Sequence, residues 1–189
     1  MKKLFFLVMI LGFYSCSTDS DILIPEETSE FFPLQVGNRW EYISSLDSSI
    51  WKYEITDTKV FNQHVYFERV LTFSDGTKET EYFRVTDSNV VLIYYEGEDY
   101  IYIDFNRAIG EEWNSYDDFF GFIRQRNITT TVEAGTFTNV TEVFMDNRSY
   151  ADIFSFNRYS PGVGLIEVFR FRFNLSLVNA TVNGINYPQ

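Results

Sequence analysis

The sequence is poor in the residue types on which many catalytic and metal sites depend. The 189-residue chain contains a single cysteine and a single histidine. One cysteine cannot form an internal disulfide or a cysteine-based zinc cluster, and one histidine cannot supply a multi-histidine metal site. The chain also lacks the short motifs of serine hydrolases, zinc proteases and phosphate-binding loops. From the sequence we therefore assign no catalytic residue, no metal ligand and no cofactor.

Basic residues are also scarce. Lysine and arginine number 15 against 27 aspartates and glutamates, which gives a formal net charge of −12. A strongly acidic chain is repelled by phosphate backbones, so nucleic acid is excluded as a partner. The aromatic content of 19% is too high for a disordered acidic chain and indicates an ordered domain.

The apolar stretch at the N-terminus is too short to cross a membrane. Leu4–Phe13 provides ten uncharged residues, whereas a spanning helix needs about 20. Lys2 and Lys3 precede this stretch, and Ser15 and Cys16 follow it. A basic start, a short apolar run and a small residue before the cleavage point are typical of a secretory signal peptide.

The position of the lone cysteine resembles the acylation site of bacterial lipoproteins, in which the cysteine becomes the lipid-modified mature N-terminus. Phe13 and Tyr14 are bulkier than the usual residues of that motif, as in export signals of Bacteroidetes-type bacteria. The resemblance implies removal of residues 1–15 and lipid attachment at Cys16. Because Ser17 stands where an aspartate favours retention in the inner membrane, it also implies the outer membrane, facing the periplasm or the cell surface. A simple signal peptide with a coincidental cysteine is the alternative.

Cleavage makes the protein still more acidic. Loss of Lys2 and Lys3 leaves 13 basic against 27 acidic residues, a net charge of −14. Anionic headgroups repel such a surface. The N-terminal lipid is therefore the expected contact with the membrane.

The pattern along the chain predicts a signal peptide at 1–15, a flexible tether at 16–30 and a single domain at 31–189. Apolar and polar residues alternate through many short segments, as around Trp51, Tyr53 and Ile55, which is typical of half-buried strands. Short turns between the segments predict antiparallel neighbours. The predicted fold is all-β, with one strongly curved antiparallel sheet that resembles a half-open barrel. Gly110–Phe120 lacks the alternation, and we expect a short helix or an irregular segment there.

Five spaced segments resemble lipoproteins of Bacteroidetes that carry FPLxxGNxWxY and PGVGL motifs and have no agreed activity. The segments are FFPLQVGNRWEY at 31–42, IGEEW at 109–113, VEAGTFTNV at 132–140, YSPGVGLIE at 159–167 and LSLVNATVNG at 175–184. The resemblance implies a curved antiparallel sheet similar to the half-open barrels of bacterial lipoprotein carriers, and it implies no reaction. We interpret Trp40 and Trp113 within these segments as core residues.

Four arginines are candidates for binding an anionic ligand. Arg124 and Arg126 alternate on one predicted strand, and Arg170 and Arg172 alternate on another. If the two strands are neighbours, four guanidinium groups on one face can bind a carboxylate or phosphate bidentately. The alternative is that they pair across strands with acidic residues. The acids considered are Glu133, Glu142 and Glu167.

Acidic loop residues are the only other candidates for chemistry. The acidic clusters are Glu111-Glu112, Asp117-Asp118 and Glu96-Gly97-Glu98-Asp99. Two carboxylates facing each other across a sugar can hydrolyse a glycosidic bond. Solvated turns that keep the surface acidic are the alternative interpretation.

Our leading hypothesis is a lipid-anchored envelope protein without catalytic activity. Its curved sheet would bind a small hydrophobic or glycan ligand, or a partner protein. A carboxylate-dependent glycan hydrolase and a structural accessory subunit of an envelope complex are the alternatives. The sequence leaves open the ligand, the oligomeric state and whether the concave face is open or filled.

Overall fold

The computed structural model describes residues 29–86 and 89–188. Every secondary-structure element in these ranges is a β-strand. The strands are β1 (Arg39–Ser44), β2 (Ile50–Phe61), β3 (His64–Thr72), β4 (Lys78–Val85), β5 (Val90–Tyr95), β6 (Glu98–Asp104), β7 (Glu112–Asn114), β8 (Phe119–Val132), β9 (Gly135–Asn147), β10 (Phe154–Ser160), β11 (Gly164–Arg170), β12 (Asn174–Val182) and β13 (Ile185–Tyr187). The predicted all-β class is confirmed.

The strands form one antiparallel sheet that is nearly closed into a barrel with one seam. Strands β1 to β6 form a meander in which each strand pairs with the next, and β7 to β12 form a second meander. The two meanders join where β1 pairs with β12, and the short β13 pairs with β12. The edge strands β6 and β7 meet at the seam, where the Trp113 indole donates a hydrogen bond of 3.2 Å to the Tyr102 carbonyl.

Tight turns explain why sequence neighbours are sheet neighbours. Asn62 and Gln63 between β2 and β3 both have positive φ, at 49° and 67°. Asn183 and Gly184 between β12 and β13 also both have positive φ, at 52° and 79°. Two consecutive residues of positive φ match the right-handed twist of the strands that they connect. The predicted meander is therefore confirmed.

The short-helix alternative for Gly110–Phe120 is wrong. This segment contains β7, in which Trp113 is buried between two exposed neighbours. Asp117 and Asp118 follow with φ of 49° and 61°, in the turn that leads into β8. Three residues are too few to show an alternating pattern in the sequence, because a period of two needs a longer run.

The first described residues close one end of the barrel. Phe32 and Leu34 are buried in the core, at 5% and 2% exposure. Pro33 lies against Gly164, where a Cβ atom would come within 3.0 Å of the proline Cδ and where φ is +90°. The Trp40 indole donates a 2.7 Å hydrogen bond to the Val163 carbonyl. Two of the five segments on which the family resemblance rests, 31–42 and 159–167, are therefore packed against each other at this closed end.

Candidate ligand-binding site

The opposite end of the barrel is open. A recess of about 580 Å³ lies between the start of β8, the β9–β10 connection and the β11–β12 turn. Its walls are Phe119, Ala151, Asp152, Ile153, Phe154, Ser155, Arg170, Phe171, Arg172 and Phe173. The concave face is therefore filled at one end and accessible at the other.

A smaller cavity of about 110 Å³ lies deeper in the barrel. It shares Phe119, Ser155 and Arg170 with the recess, so the two spaces adjoin at these residues. Its polar lining groups come from strands that are distant in the sequence, because β2, β3, β6, β10 and β11 all turn a face toward the barrel interior. These groups are Tyr53, Arg69, Tyr102, Tyr116, Ser155, Asn157, Tyr159 and Arg170.

Four tyrosines place hydrogen-bond donors around the cavity. Within residues 29–86 and 89–188, the hydroxyls of Tyr53, Tyr102, Tyr116 and Tyr159 form no hydrogen bond, although all four residues line this space. Burial raises the pKa of Tyr53 to about 12, and burial also raises the pKa values of Tyr116 and Tyr159. Tyr53, Tyr116 and Tyr159 are therefore neutral phenols that can donate a hydrogen bond at neutral pH.

Arg69 is a charged residue inside the aromatic core. Its guanidinium carbon lies 4.4 Å from the ring centroid of Phe83 and 4.7 Å from that of Tyr53. Its Nη2 atom donates a 2.7 Å hydrogen bond to Glu81 Oε2. Burial alone would lower the pKa of Arg69, but the Glu81 carboxylate raises it well above its ordinary value. The charge of Arg69 is therefore fixed and already compensated by Glu81.

Arg170 differs from Arg69 because its charge is not compensated. It ends β11 opposite Ser155 on β10. Among the residues that the structure describes, its exposed side chain forms no hydrogen bond or ion pair. The guanidinium carbon lies 5.8 Å from the ring centroid of Phe173. The residues that line the cavity include no carboxylate. A free guanidinium group therefore stands at the neck between cavity and recess.

The four arginines predicted to act together do not share one face. Strands β8 and β11 are separated by β9 and β10, so the condition of neighbouring strands is not met. Arg124 donates a 2.7 Å hydrogen bond to Glu142 on the outer face of the sheet. Arg126 donates to two backbone carbonyls near the seam, at 2.6 and 3.0 Å. Arg170 and Arg172 both line the recess, so this pair alone remains at the candidate site.

Sequence reasoning missed Arg69 and the four cavity tyrosines. One signal for Arg69 was present, because it alternates with Phe67 and Leu71, and all three are buried on the same side of β3. A charge on an otherwise apolar strand face requires a buried partner. The tyrosines carried no such signal, since they lie on separate segments among many other aromatic residues.

The acidic loop residues do not form a paired-carboxylate site. Glu111, Glu112, Asp117 and Asp118 are all exposed, and none of them lines the cavity or the recess. Three have partners on the surface: Glu111 pairs with Arg107, Glu112 pairs with Arg148 at 3.2 Å, and Asp118 accepts a hydrogen bond from Ser149. The hydrolase hypothesis required these acids to face a cleft, and they do not.

The predicted lipid attachment residue, Cys16, and the signal peptide at 1–15 lie outside the described residues. Within residues 29–86 and 89–188, no helix has the length and apolar character needed to cross a membrane.

No family model matches the chain, and no curated protein matches it. Two crystal structures are similar to it. One is a protein from Bacteroides fragilis, described as exported and with a YmcC-like fold, at 12% identity and a TM-score of 0.47, covering 79% of this chain and 98% of that one. The other is a protein from Parabacteroides distasonis, described as a lipoprotein, at 16% identity and a TM-score of 0.42, covering 82% and 100%. Likenesses at this level carry no information on what this chain binds.

Proposed function

We propose that this protein is a lipid-anchored envelope protein of the outer membrane that binds an anionic ligand in the barrel without catalysing a reaction. The observation that carries the proposal is the uncompensated guanidinium of Arg170 at the neck of a cavity lined by phenol donors. A carboxylate or phosphate accepts hydrogen bonds from exactly these groups, and a guanidinium can bind it bidentately.

The electrostatic setting favours an anion at this position despite the acidic surface. The whole chain has a net charge of −12, yet the cavity lining contains two arginines and no carboxylate. Because Glu81 compensates Arg69, the net positive charge of the lining is that of Arg170. Interactions between charges are stronger in a partly enclosed site than in bulk water. An anionic group that reaches the neck is therefore stabilised there.

The proposed lipid anchor would join the barrel at its closed end. The described chain begins at Ser29, and the carbonyl of Glu30 accepts a 2.8 Å hydrogen bond from the Gly162 amide at the closed end of the barrel. A lipid on Cys16 would connect to this closed end through residues 17–28, which span at most about 40 Å when fully extended. The recess lies at the other end, so attachment at the closed end would not obstruct it.

Titration calorimetry on the mature chain tests the anion site. We expect hexanoate to bind, and the Arg170→Met variant to bind it at least about tenfold more weakly, because charge-assisted hydrogen bonds contribute about 1.5–3 kcal/mol. Arg39→Met is the matched control, since Arg39 is exposed on β1, where it hydrogen-bonds Thr181 far from the recess. Absence of hexanoate binding, or equal binding by the Arg170→Met variant, would contradict the proposal.

A further inference from the structure

We infer that the ligand is an amphiphile with a carboxylate or phosphate head and one apolar tail, bound with the head at Arg170 and the tail over the phenylalanines of β10 and β11. This inference rests on the proposed anion site and adds the chemical class of the ligand. It follows from the sizes of three connected spaces, their shared walls and the distribution of charge around them.

The inner cavity is too small for more than the head of a ligand. Its volume of about 110 Å³ is well below the roughly 300–1,000 Å³ of pockets that enclose a drug-sized molecule. The recess outside it is about 580 Å³, and a groove of about 350 Å³ continues over the outer face of the sheet. Most of any larger ligand must therefore lie outside the cavity.

Arg170 stands where the three spaces meet. It is the residue that lines the cavity, the recess and the outer groove alike. Phe154 and Phe171 line both the recess and the groove. A molecule bound through its head at Arg170 can therefore extend from the recess onto the outer face across the rings of these two phenylalanines.

The outer face beyond Arg170 carries a row of half-buried phenylalanines with one exposed phenylalanine beside it. Register places Phe122, Phe144, Phe156 and Phe169 in one row across β8 to β11. Ring centroids are 4.9 Å apart for Phe122 and Phe144 and 5.1 Å apart for Phe144 and Phe156. Phe171, next to this row, is 56% exposed. Exposed apolar patches of this kind commonly mark binding surfaces.

The first meander also carries an aromatic cluster on its outer face. Phe61, Tyr66 and Tyr94 pack together on the outer side of the first meander, with Phe61 and Tyr94 stacked at 4.2 Å. Tyr66 is 0% exposed in that cluster. Phe61 and Tyr94 are half-buried, as are the phenylalanines in the row on the second meander, so what distinguishes the second meander is the exposed ring of Phe171 beside its row.

Charge gives the bound molecule a direction. At the far side of the groove, Glu142 pairs with Arg124 and Arg158, and Arg158 also pairs with Glu167, at distances of 2.7–2.8 Å. These charges compensate each other and leave no free cation at that side. Of the arginines that line the groove, Arg170 is the one without an ion pair among the described residues, so the anionic head belongs there and the tail lies between it and the ion-pair network.

Chain length is the variable that tests this inference. The mature chain with Cys16→Ser, which carries no lipid of its own, is titrated with hexanoate, dodecanoate and dodecyl phosphate. Each fully buried methylene tightens binding about fourfold, so we expect dodecanoate to bind at least about tenfold more tightly than hexanoate even if few of its six additional methylenes are buried. Comparison of dodecanoate with dodecyl phosphate shows which head group the neck prefers.

A double variant locates the tail. Phe156→Ser with Phe171→Ser should remove the gain from chain length, whereas hexanoate should still bind through Arg170. The matched control is Val60→Ser with Ile185→Ser, because these apolar residues are 57% and 47% exposed elsewhere on the surface. Thermal unfolding followed by circular dichroism verifies that each variant is folded. If a double variant does not fold, its two single variants are titrated instead.

The outcomes separate this inference from the proposed function. If hexanoate and dodecanoate bind equally well, or if the chain-length gain survives in the phenylalanine variant, the tail assignment is overturned while the anion site stands. If hexanoate does not bind at all, the anion site itself fails. A chain-length gain that the phenylalanine variant abolishes and the control retains supports the amphiphile.

Discussion

Substitution of Gly121 by alanine tests how the seam of the barrel is closed. Gly121 lies on β8 directly opposite Trp113 of β7 and Met145 of β9. A Cβ atom added there would lie 2.6 Å from Met145 Sδ and 2.7 Å from Trp113 Cζ2, whereas ordinary contacts of this kind begin at 3.4 Å. The methionine can move aside, but the tryptophan ring is rigid and is held by its bond to Tyr102. The ring must therefore shift by about 0.7 Å to restore an ordinary contact.

The expected cost has two parts. Overpacking of a well-packed core destabilises by about 1–3 kcal/mol. Displacement of the indole also weakens the 3.2 Å hydrogen bond between Trp113 and Tyr102, which contributes about 1 kcal/mol. We therefore expect Gly121→Ala to lower the free energy of unfolding by about 2–4 kcal/mol.

Urea unfolding of the wild type and the variant measures this loss. The same substitution is also made in a Trp113→Leu background, where the smaller side chain removes the clash with the added Cβ atom at position 121. In that background the same glycine substitution should cost less than half as much, so the two effects should not be additive. A loss below about 0.5 kcal/mol, within the usual range of surface substitutions, or full additivity with Trp113→Leu, would refute the account of the seam.

Three further predictions concern the buried charges, the tyrosines and the lipid. Arg158→Met leaves the carboxylate of Glu142, which is 1% exposed, with Arg124 as its one arginine partner, and should cost about 2 kcal/mol in urea unfolding, whereas Arg39→Met should cost little. Burial raises the pKa of Tyr53 to about 12, whereas the unfolded phenol ionises near pH 10, so stability should fall above pH 10 and Tyr53→Phe should lessen that slope by about 1 kcal/mol per pH unit between pH 10 and 11; an unchanged slope in this range would contradict this. Cys16→Ser should abolish labelling by radioactive palmitate and release the protein from the membrane fraction; retained labelling would exclude Cys16 as the attachment site.

The proposed ligand site depends on groups that no local pattern brings together. Arg170 is at the end of β11, Tyr53 is on β2, and Tyr116 is in the turn after β7. These strands meet at one cavity because the sheet curves until β6 and β7 face each other across the seam. The four-arginine hypothesis failed for the same reason, since the alternation on a strand does not say which other strand lies beside it.

The sequence alone determined what depends on neighbours along the chain. Alternation around Trp51, Tyr53 and Ile55 predicts a strand, and pairs such as Asn183-Gly184 predict tight turns, because side-chain period and backbone φ are local properties. Meander pairing follows, since short turns leave the next strand no other place to pair. The closing pair of β1 with β12, the ion pair of Arg69 with Glu81 and the free guanidinium of Arg170 were decided only by the tertiary structure. Each depends on which distant residues the curved sheet brings within a few ångströms, and that is set by the packing of the whole core.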